Sequence, residues 1–305
     1  MTVNKPTERE IELSIIILSY NTEALTRQTI ESIYESTELD TNSFEIIVLD
    51  NASTDNSLQM LRKLEKNHPN LHVIESKENT GFSKGNNIAS KQAKGTYFLF
   101  LNSDVIVQEK GIDNLLNYLK DHDKTAQFAG GKLLNKDISD QASCGPFYTL
   151  PVVFGALFLR GDYWGLTRYS PDEVKRVDWV SGACLLTKKE YFEQVGGFDE
   201  GIFMYMEEID LLYRSNKLGY QTFFVPQARF IHLGSASSGG KTYPILQVYR
   251  GFLYFYKKHY GPASVTVLKG MLQLKARIAM ILGKLTGKNY LIETYGKAQE
   301  IASMA

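Results

Sequence analysis

Cysteine is scarce in this 305-residue chain: only Cys144 and Cys184 occur. That is too few for a disulfide framework and points to a reduced, cytosolic setting. Neither sign of charge is in excess, the formal net charge being zero, which argues against a general nucleic-acid binder. No stretch offers the roughly 18 consecutive apolar residues of a membrane-spanning helix. The opening segment, Met1 to Glu12, is polar and lacks the apolar core of a secretory signal. A GxGxxG fingerprint is missing, which speaks against a nicotinamide-dependent enzyme. Internal repeats and low-complexity tracts are absent too. What remains is ordinary for a globular chain: 43% hydrophobic and 22% charged residues, enough for a sizeable core. The expectation is a soluble, intracellular protein, either one large α/β domain or a domain with an appendage.

The apolar run from Tyr97 to Leu101 passes directly into Asn102-Ser103-Asp104. Such a run reads as a strand buried on both faces of an α/β sheet, and ligands bind beyond the carboxyl ends of such strands. Asp104 would then stand on a rigid support, where a carboxylate can hold a divalent cation. The alternative is a turn or helix cap. Leu13 to Ser19, Phe44 to Leu49 and Leu71 to Glu75 read as three further strands, each followed by an amphipathic helix. That alternation implies a parallel sheet with right-handed crossovers. It brings Tyr20/Asn21, Asp50/Asn51 and Asn102/Asp104 to one edge. Further on, a helix near Glu109 to Lys120 leads to a strand near Ala126 to Leu134. Residues 135–169 are aromatic and Gly-rich and suit an excursion lining a cleft. Val177 to Lys188 resumes strand character. Phe203 to Arg214 reads as a helix with acids in its first turn, where the dipole favours them. Thr222 to Val225 and Arg229 to Leu233 read as extended, with Ser235 following, and from Tyr243 the chain is helical, broken at Gly261-Pro262.

In order, these segments carry Ser19-Tyr20-Asn21, Asp50-Asn51-Ala52-Ser53, Asn79-Thr80-Gly81 with Asn86-Asn87, Asn102-Ser103-Asp104, Trp179-Val180-Ser181-Gly182-Ala183, Phe198-Asp199-Glu200 and Glu207-Glu208-Ile209-Asp210 with Arg214. The series resembles the inverting family 2 glycosyltransferases, most of all their rhamnosyltransferase-like branch, over about Leu13 to His232. The resemblance implies the GT-A fold: a Rossmann-like mixed α/β sheet flanked by helices, here with a C-terminal helical appendage. Its domain would span 1–240, with a nucleotide-binding half to about 125 and an acceptor half from 126. The appendage would span 241–305.

The resemblance also implies roles. Ser19, Tyr20, Asn21, Asp50 and Asn51 would meet the base and ribose of a UDP- or dTDP-sugar. Asp50 would accept from the imide N–H of the base, although a turn-forming Asp is the alternative. Asn79, Gly81, Lys84 and Asn86 would approach ribose and diphosphate. Asn102, Ser103 and Asp104 stand at the family's DxD, with asparagine replacing the first acid. Asp104 and His232 would hold Mn²⁺ or Mg²⁺, and an imidazole ligand favours Mn²⁺. Trp179, Gly182, Ala183 and Arg214 would face a saccharide or lipid-linked acceptor. Glu208, one methylene longer than the family's aspartate, would be the general base beside Glu207. On a helix Glu207, Asp210 and Arg214 share a stripe, whereas Glu208 lies with Leu211 and Leu212, a setting that raises a carboxyl pKa. A non-catalytic carbohydrate-binding protein on the same fold is the rival class. A sugar nucleotidyltransferase would need a Gly-rich basic loop where Ser19-Tyr20-Asn21-Thr22-Glu23 stands.

In the C-terminal part no acid occurs between Tyr256 and Asn289. Lys257, Lys258, Lys269, Lys275, Arg277, Lys284 and Lys288 accompany a stripe of Val267, Met271, Leu274, Ile278, Ile281 and Leu285. Such a basic amphipathic helix can lie on the inner face of the cytoplasmic membrane, or equally pack on its own domain or form a homodimer.

Overall fold

The computed structural model describes residues 11–234 and 242–304. Most of the polar opening segment, Ser235 and the expected boundary at 240/241 lie outside those residues.

The N-terminal half follows the alternation expected of it. Strands β1 (Leu13–Ser19), β2 (Phe44–Asp50), β3 (Leu71–Glu75) and β4 (Tyr97–Asn102) alternate with α1 (Glu23–Ser36), α2 (Ser57–Asn67) and α3 (Gly81–Ser90). These four strands are parallel, in the order β3-β2-β1-β4. The apolar runs form them because both faces are covered by helices, leaving no solvent side for polar alternation. Ser19 pairs with Asp50 and Leu18 with Asn102, so the polar ends of three strands lie level.

After β4 the chain turns through Ser103-Asp104 into β5 (Val105–Val107), then α4 (Gly111–Asp121) and β6 (Phe128–Leu134). The segment that sequence pattern left open holds the short strands β7 (Asp140–Gln141) and β8 (Cys144–Gly145), then α5 (Leu150–Phe158). β9 (Lys175–Val177), β10 (Trp179–Val180) and β11 (Cys184–Lys188) follow, then α6 (Lys189–Val195), α7 (Glu207–Lys217) and β12 (Thr222–His232). The second half joins the same sheet as β4-β11-β6-β12-β5, with β11 antiparallel to β4. The two extended segments expected at 222–225 and 229–233 are one strand, irregular between Val225 and Arg229. The helix expected from Phe203 starts only at Glu207, because Tyr205 and Met206 adopt left-handed backbone (φ 65° and 78°). Both cysteines are free and buried.

Three helices complete the chain: α8 (Thr242–His259), α9 (Pro262–Thr286) and α10 (Asn289–Met304). The first of these helices packs on the sheet domain. Tyr249, Phe252, Phe255 and Tyr256 of α8 are buried in one cluster with Trp179, Ile209 and Leu212. Burying an aromatic side chain of this size contributes on the order of 2 kcal/mol, so α8 is part of the core.

Candidate active site

The carboxyl ends of β1 and β4, the start of α7 and the wall made by α8 enclose a cavity of about 620 Å³. Tyr20, Asn51, Asn79, Gly81, Asn102, Ser103 and Asp104 line it from the N-terminal half. Trp179, Gly182, Ala183, Glu207, Glu208 and His232 line it from the other half.

Asn51 and Asn79 are held by their neighbours. Asn51 Oδ1 accepts from the Thr80 backbone N–H and hydroxyl, both at 2.9 Å, while its Nδ2 donates to Asn79 Oδ1 at 3.0 Å. Asn79 Oδ1 also accepts from Gly81 N–H at 3.0 Å. Gly81 has a left-handed φ of 76°, and a Cβ there would lie 2.6 Å from the Phe203 carbonyl. That carbonyl accepts from Phe82 N–H at 2.7 Å. Gly81 thus admits the backbone of the loop before α7, a requirement separate from any approach of a diphosphate.

Register explains the polar pair beside it. β12 runs antiparallel to β5 with His232 opposite Val105, and Leu233 N–H donates to the Asp104 carbonyl at 3.0 Å. His232 Nε2 therefore lies 3.4 Å from Asp104 Oδ1 and 3.4 Å from Asn102 Nδ2. Gln141, which no sequence signal marked, fixes the imidazole. Its Nε2 donates to the His232 carbonyl at 3.3 Å, which leaves its Oε1 to accept from His232 Nδ1 at 2.7 Å. With the proton on Nδ1, Nε2 is the acceptor, taking a hydrogen bond from Asn102 Nδ2 while lying beside Asp104 Oδ1. Asn102 Oδ1 is buried without a partner. A carboxylate, an imidazole lone pair and an amide oxygen fit a divalent cation, although among the described residues no group of three acidic, His or Cys side chains forms a complete site.

Glu207 and Glu208 open α7. Glu207 is 6% exposed, and burial followed by the charge of Glu208 pushes its carboxyl well above the usual range. Glu208 reaches the cavity and is also raised by burial, opposed by nearby peptide N–H groups and by the charge of Arg168. One oxygen of each carboxyl, Oε2, has no partner. Like charges in one desolvated place do not both ionise readily. Both carboxyls are raised, so the pair resists carrying two charges at once, and Glu208, which has the Arg168 charge nearby, is the member better placed to be the carboxylate. Gly182 packs on Glu208: a Cβ there would lie 3.5 Å from the Glu208 Cβ.

The helix bearing this pair is fastened from behind. Asp210, fully buried, accepts from Arg214 Nε (2.7 Å), Lys258 Nζ (2.8 Å) and His259 Nε2 (2.7 Å). Burial alone would raise its pKa. The His259 hydrogen bond, the Arg214 charge and the Lys258 and Arg214 hydrogen bonds outweigh it and bring it down to about 2. The remaining Arg214 donors go to the carbonyls of Val195 and Gly197. Arg214 thus does not face the main cavity, contrary to the acceptor role expected of it: its fork is occupied by α7 and the turn after α6.

Five other expected residues also stand back from the cavity lining. Ser19 bonds Thr26 (3.0 Å), and Asn21 Oδ1 accepts from Thr54 N–H (2.7 Å). Asn86 Nδ2 is turned to the Phe82 carbonyl (3.0 Å), and Lys84 pairs with Glu78 (3.5 Å). Asp50 Oδ2 accepts from Ser53 N–H (3.1 Å), as a turn-forming carboxylate does, but its buried Oδ1 is unpartnered. Tyr148, Arg168, Phe203, Tyr205 and Phe252 line the cavity without having been marked by sequence. Arg168 stacks near the Trp179 ring at 5.8 Å and donates to the Ala142 carbonyl (3.0 Å).

A parallel nucleotide-type half continued by an antiparallel half, with acids at both the β4 corner and the start of α7, defines a sugar-transfer fold of the GT-A class. Residues 14–139 match the model of glycosyl transferase family 2. The chain is 31% identical over 229 residues to rhamnosyltransferase WbbL of Escherichia coli K12, covering 72% of this chain and 82% of that protein. It belongs to glycosyl transferase family 2 and is a glycosyltransferase. A segment of 72 residues is 47% identical to the N-acetylglucosaminyl-diphospho-decaprenol L-rhamnosyltransferase of Mycobacterium tuberculosis, 24% of this chain and 23% of that one. Among solved structures it is similar to the mannosyltransferase PcManGT of Pyrobaculum calidifontis in complex with GDP-Man and Mn²⁺ (TM-score 0.60, 17% identity, 96% and 86% covered). It is also similar to GalNAc-T7 with UDP, GalNAc and Mn²⁺ (TM-score 0.61, 16% identity, 82% and 50% covered). At those identities the structures establish the fold alone.

Proposed function

We propose that this enzyme transfers one hexose or deoxyhexose, with inversion, from a UDP- or dTDP-sugar to a saccharide or lipid-linked saccharide acceptor. dTDP-rhamnose is the favoured donor, since the relatives just named are rhamnosyltransferases. The setting would be cell-envelope polysaccharide assembly on the cytoplasmic side of the membrane. The observation that carries the reading is the meeting, in one cavity, of the Asp104/His232 pair with the Glu207/Glu208 pair.

The donor would lie along Tyr20, Asn51 and Asn79, and the unpartnered Oδ1 of Asp50 suits the imide N–H of uracil or thymine. Asp104 and His232 Nε2 would hold Mn²⁺, or Mg²⁺, together with the donor phosphates. When bound, that cation neutralises the charge gathering on the departing diphosphate. The acceptor hydroxyl oxygen forms the new bond to the anomeric carbon as the bond from that carbon to the phosphate oxygen breaks. Its proton passes to the Glu208 carboxylate. Burial makes Glu208 a stronger base than a free carboxylate, and its buried neighbour Glu207 disfavours a second negative charge in the site. Trp179 and Tyr148, stacked with ring centroids 6.0 Å apart, offer an apolar wall for the acceptor sugar.

The test is a panel of nucleotide sugars assayed for slow hydrolysis and for binding, with and without Mn²⁺. Uridine or thymidine diphosphate sugars should bind at least about tenfold more tightly with Mn²⁺. Preference for a guanosine donor, or binding indifferent to metal, would overturn the reading.

A further inference from the structure

The acceptor side of the cavity has an outer surface. Tyr148 and Arg168 line the cavity, and the chain between them runs out through α5 and a turn. That excursion leaves Phe154, Leu159, Tyr163, Trp164 and Leu166 exposed, Trp164 to 68%. Next to it, α9 is buried through a narrow row of small and apolar residues, Leu268, Leu272, Ala276, Ala279 and Gly283. The broader apolar stripe of the same helix, Val267, Leu274, Ile278, Ile281 and Leu285, faces outward. Lys275 ties the two elements together, its Nζ donating to the Leu157 carbonyl at 2.7 Å. Helical periodicity puts Lys275 on the border between the buried row and the outward stripe, so α5 flanks that stripe.

We propose that α9, α5 and residues 160–166 form one face that seats the enzyme on an anionic lipid surface. The inference goes beyond the transfer reaction and stands whichever sugar or acceptor is used. Charge decides between a lipid surface and a second copy of the chain. The outward stripe is spaced alternately four and three residues apart once half-buried Met271 is included, as in a coiled-coil seam. Its far border, however, carries Arg277 and Lys284, Lys288 follows just beyond the glycine cap of the helix, and no acid occurs from Lys257 to Lys288. A second copy would bring the same cations against these. Anionic headgroups reverse the sign, and each Lys or Arg near such a surface strengthens binding about fivefold. The rings of Tyr163 and Trp164 suit the headgroup layer, as flanking aromatics do. Among the described residues no helix is long and apolar enough to cross a membrane.

The chain contains only two tryptophans, and Trp179 is buried, so a change in emission on adding vesicles reports Trp164. The full chain is mixed with phosphatidylcholine vesicles, with or without phosphatidylglycerol. Cosedimentation and a blue shift are expected with the anionic vesicles, reversed by high salt, with partitioning at least about tenfold weaker on neutral ones. Arg277→Glu with Lys284→Glu should lower partitioning at least about tenfold while nucleotide affinity and circular dichroism stay unchanged. Trp164→Phe should still partition but lose the shift. Failure to partition onto anionic vesicles, or partitioning without a Trp164 response, overturns the proposal. So does a dimer in sedimentation that Ile278→Asp dissolves. Nucleotide binding is measured separately, so none of these outcomes bears on the transfer reaction.

Discussion

His232 and Asp104, 128 positions apart in the chain, meet at 3.4 Å because the last residues of β12 pair with the first residue of β5. β4 ends in the sheet centre, and two residues later β5 starts at its far edge. The corner between them, Asn102-Ser103-Asp104, lines the cavity. Nucleotide binding should therefore depend on metal through Asp104. Asp104→Asn is expected to keep the fold and to weaken UDP or dTDP binding in Mn²⁺, with little change in EDTA, as followed by calorimetry. Equal affinities of mutant and parent in both buffers would remove the metal from this corner.

Gln141 should act through His232 rather than on substrate. Gln141→Leu removes the acceptor that holds the proton on Nδ1 and frees the ring to turn. Mn²⁺ affinity, followed by electron paramagnetic resonance of free Mn²⁺, should fall by about 10- to 100-fold. Gln141→Glu, which retains the acceptor oxygen, should recover most of it. Unchanged affinity in the leucine variant would show that the imidazole needs no such support.

Asp210 should be needed for stability and not for chemistry. Asp210→Asn leaves Arg214, Lys258 and His259 facing an amide and is expected to cost about 3 kcal/mol in urea unfolding. Its carboxyl is depressed to about 2 when folded, from an ordinary 3.8. The stabilisation is therefore complete above about pH 4 and disappears as pH falls through about 2. The difference between parent and mutant should shrink across that window. A difference that persists at pH 2 would locate the effect elsewhere.

The N-terminal half was readable because its strands are unbroken apolar runs with polar ends. Such runs fix direction, and direction alone brings Ser19, Asp50 and Asn102 to one edge. What the sequence could not show depends on neighbours that are distant along the chain. Gly81 reads as a phosphate-binding glycine, yet its missing Cβ makes room for Phe203. Arg214 lies on the expected stripe with Asp210, but the turn after α6 captures its other donors. The α9 stripe of Val267, Leu274 and Ile278 has the pattern of a core face, yet it points outward. Ala276, Ala279 and Gly283 allow close packing on the opposite side, and residues this small leave almost no hydropathy signal.

Glu207 should weaken the fold at neutral pH. A carboxyl whose folded pKa is raised contributes stability below its unfolded value, and that stability is lost as pH rises through the folded pKa. Glu207→Gln is therefore expected to raise Tm at pH 7.5 relative to the parent, with the gain vanishing near pH 4. A lower Tm at both values would mean that the carboxylate is paired.

Glu208 should be the group that takes the acceptor proton. The donor does not need this carboxylate in order to bind, since Asn51, Asn79 and Asp104 line the part of the cavity assigned to it. Glu208→Gln keeps shape and polarity while removing the proton acceptor. Donor affinity should stay within about twofold, and transfer should fall by roughly 10² to 10⁴. Glu207→Gln should lose less, because its role is to tune Glu208 rather than to take the proton. The parent enzyme should lose activity as pH falls, along a limb that lies above the usual carboxylate range because burial raises Glu208. Arg168→Gln removes a charge that opposes this shift, so the limb should move further toward neutral pH, with kcat at high pH affected less than kcat at pH 6. Near-normal turnover in Glu208→Gln with collapse in Glu207→Gln would exchange the two roles, and loss in neither would take α7 out of the chemistry.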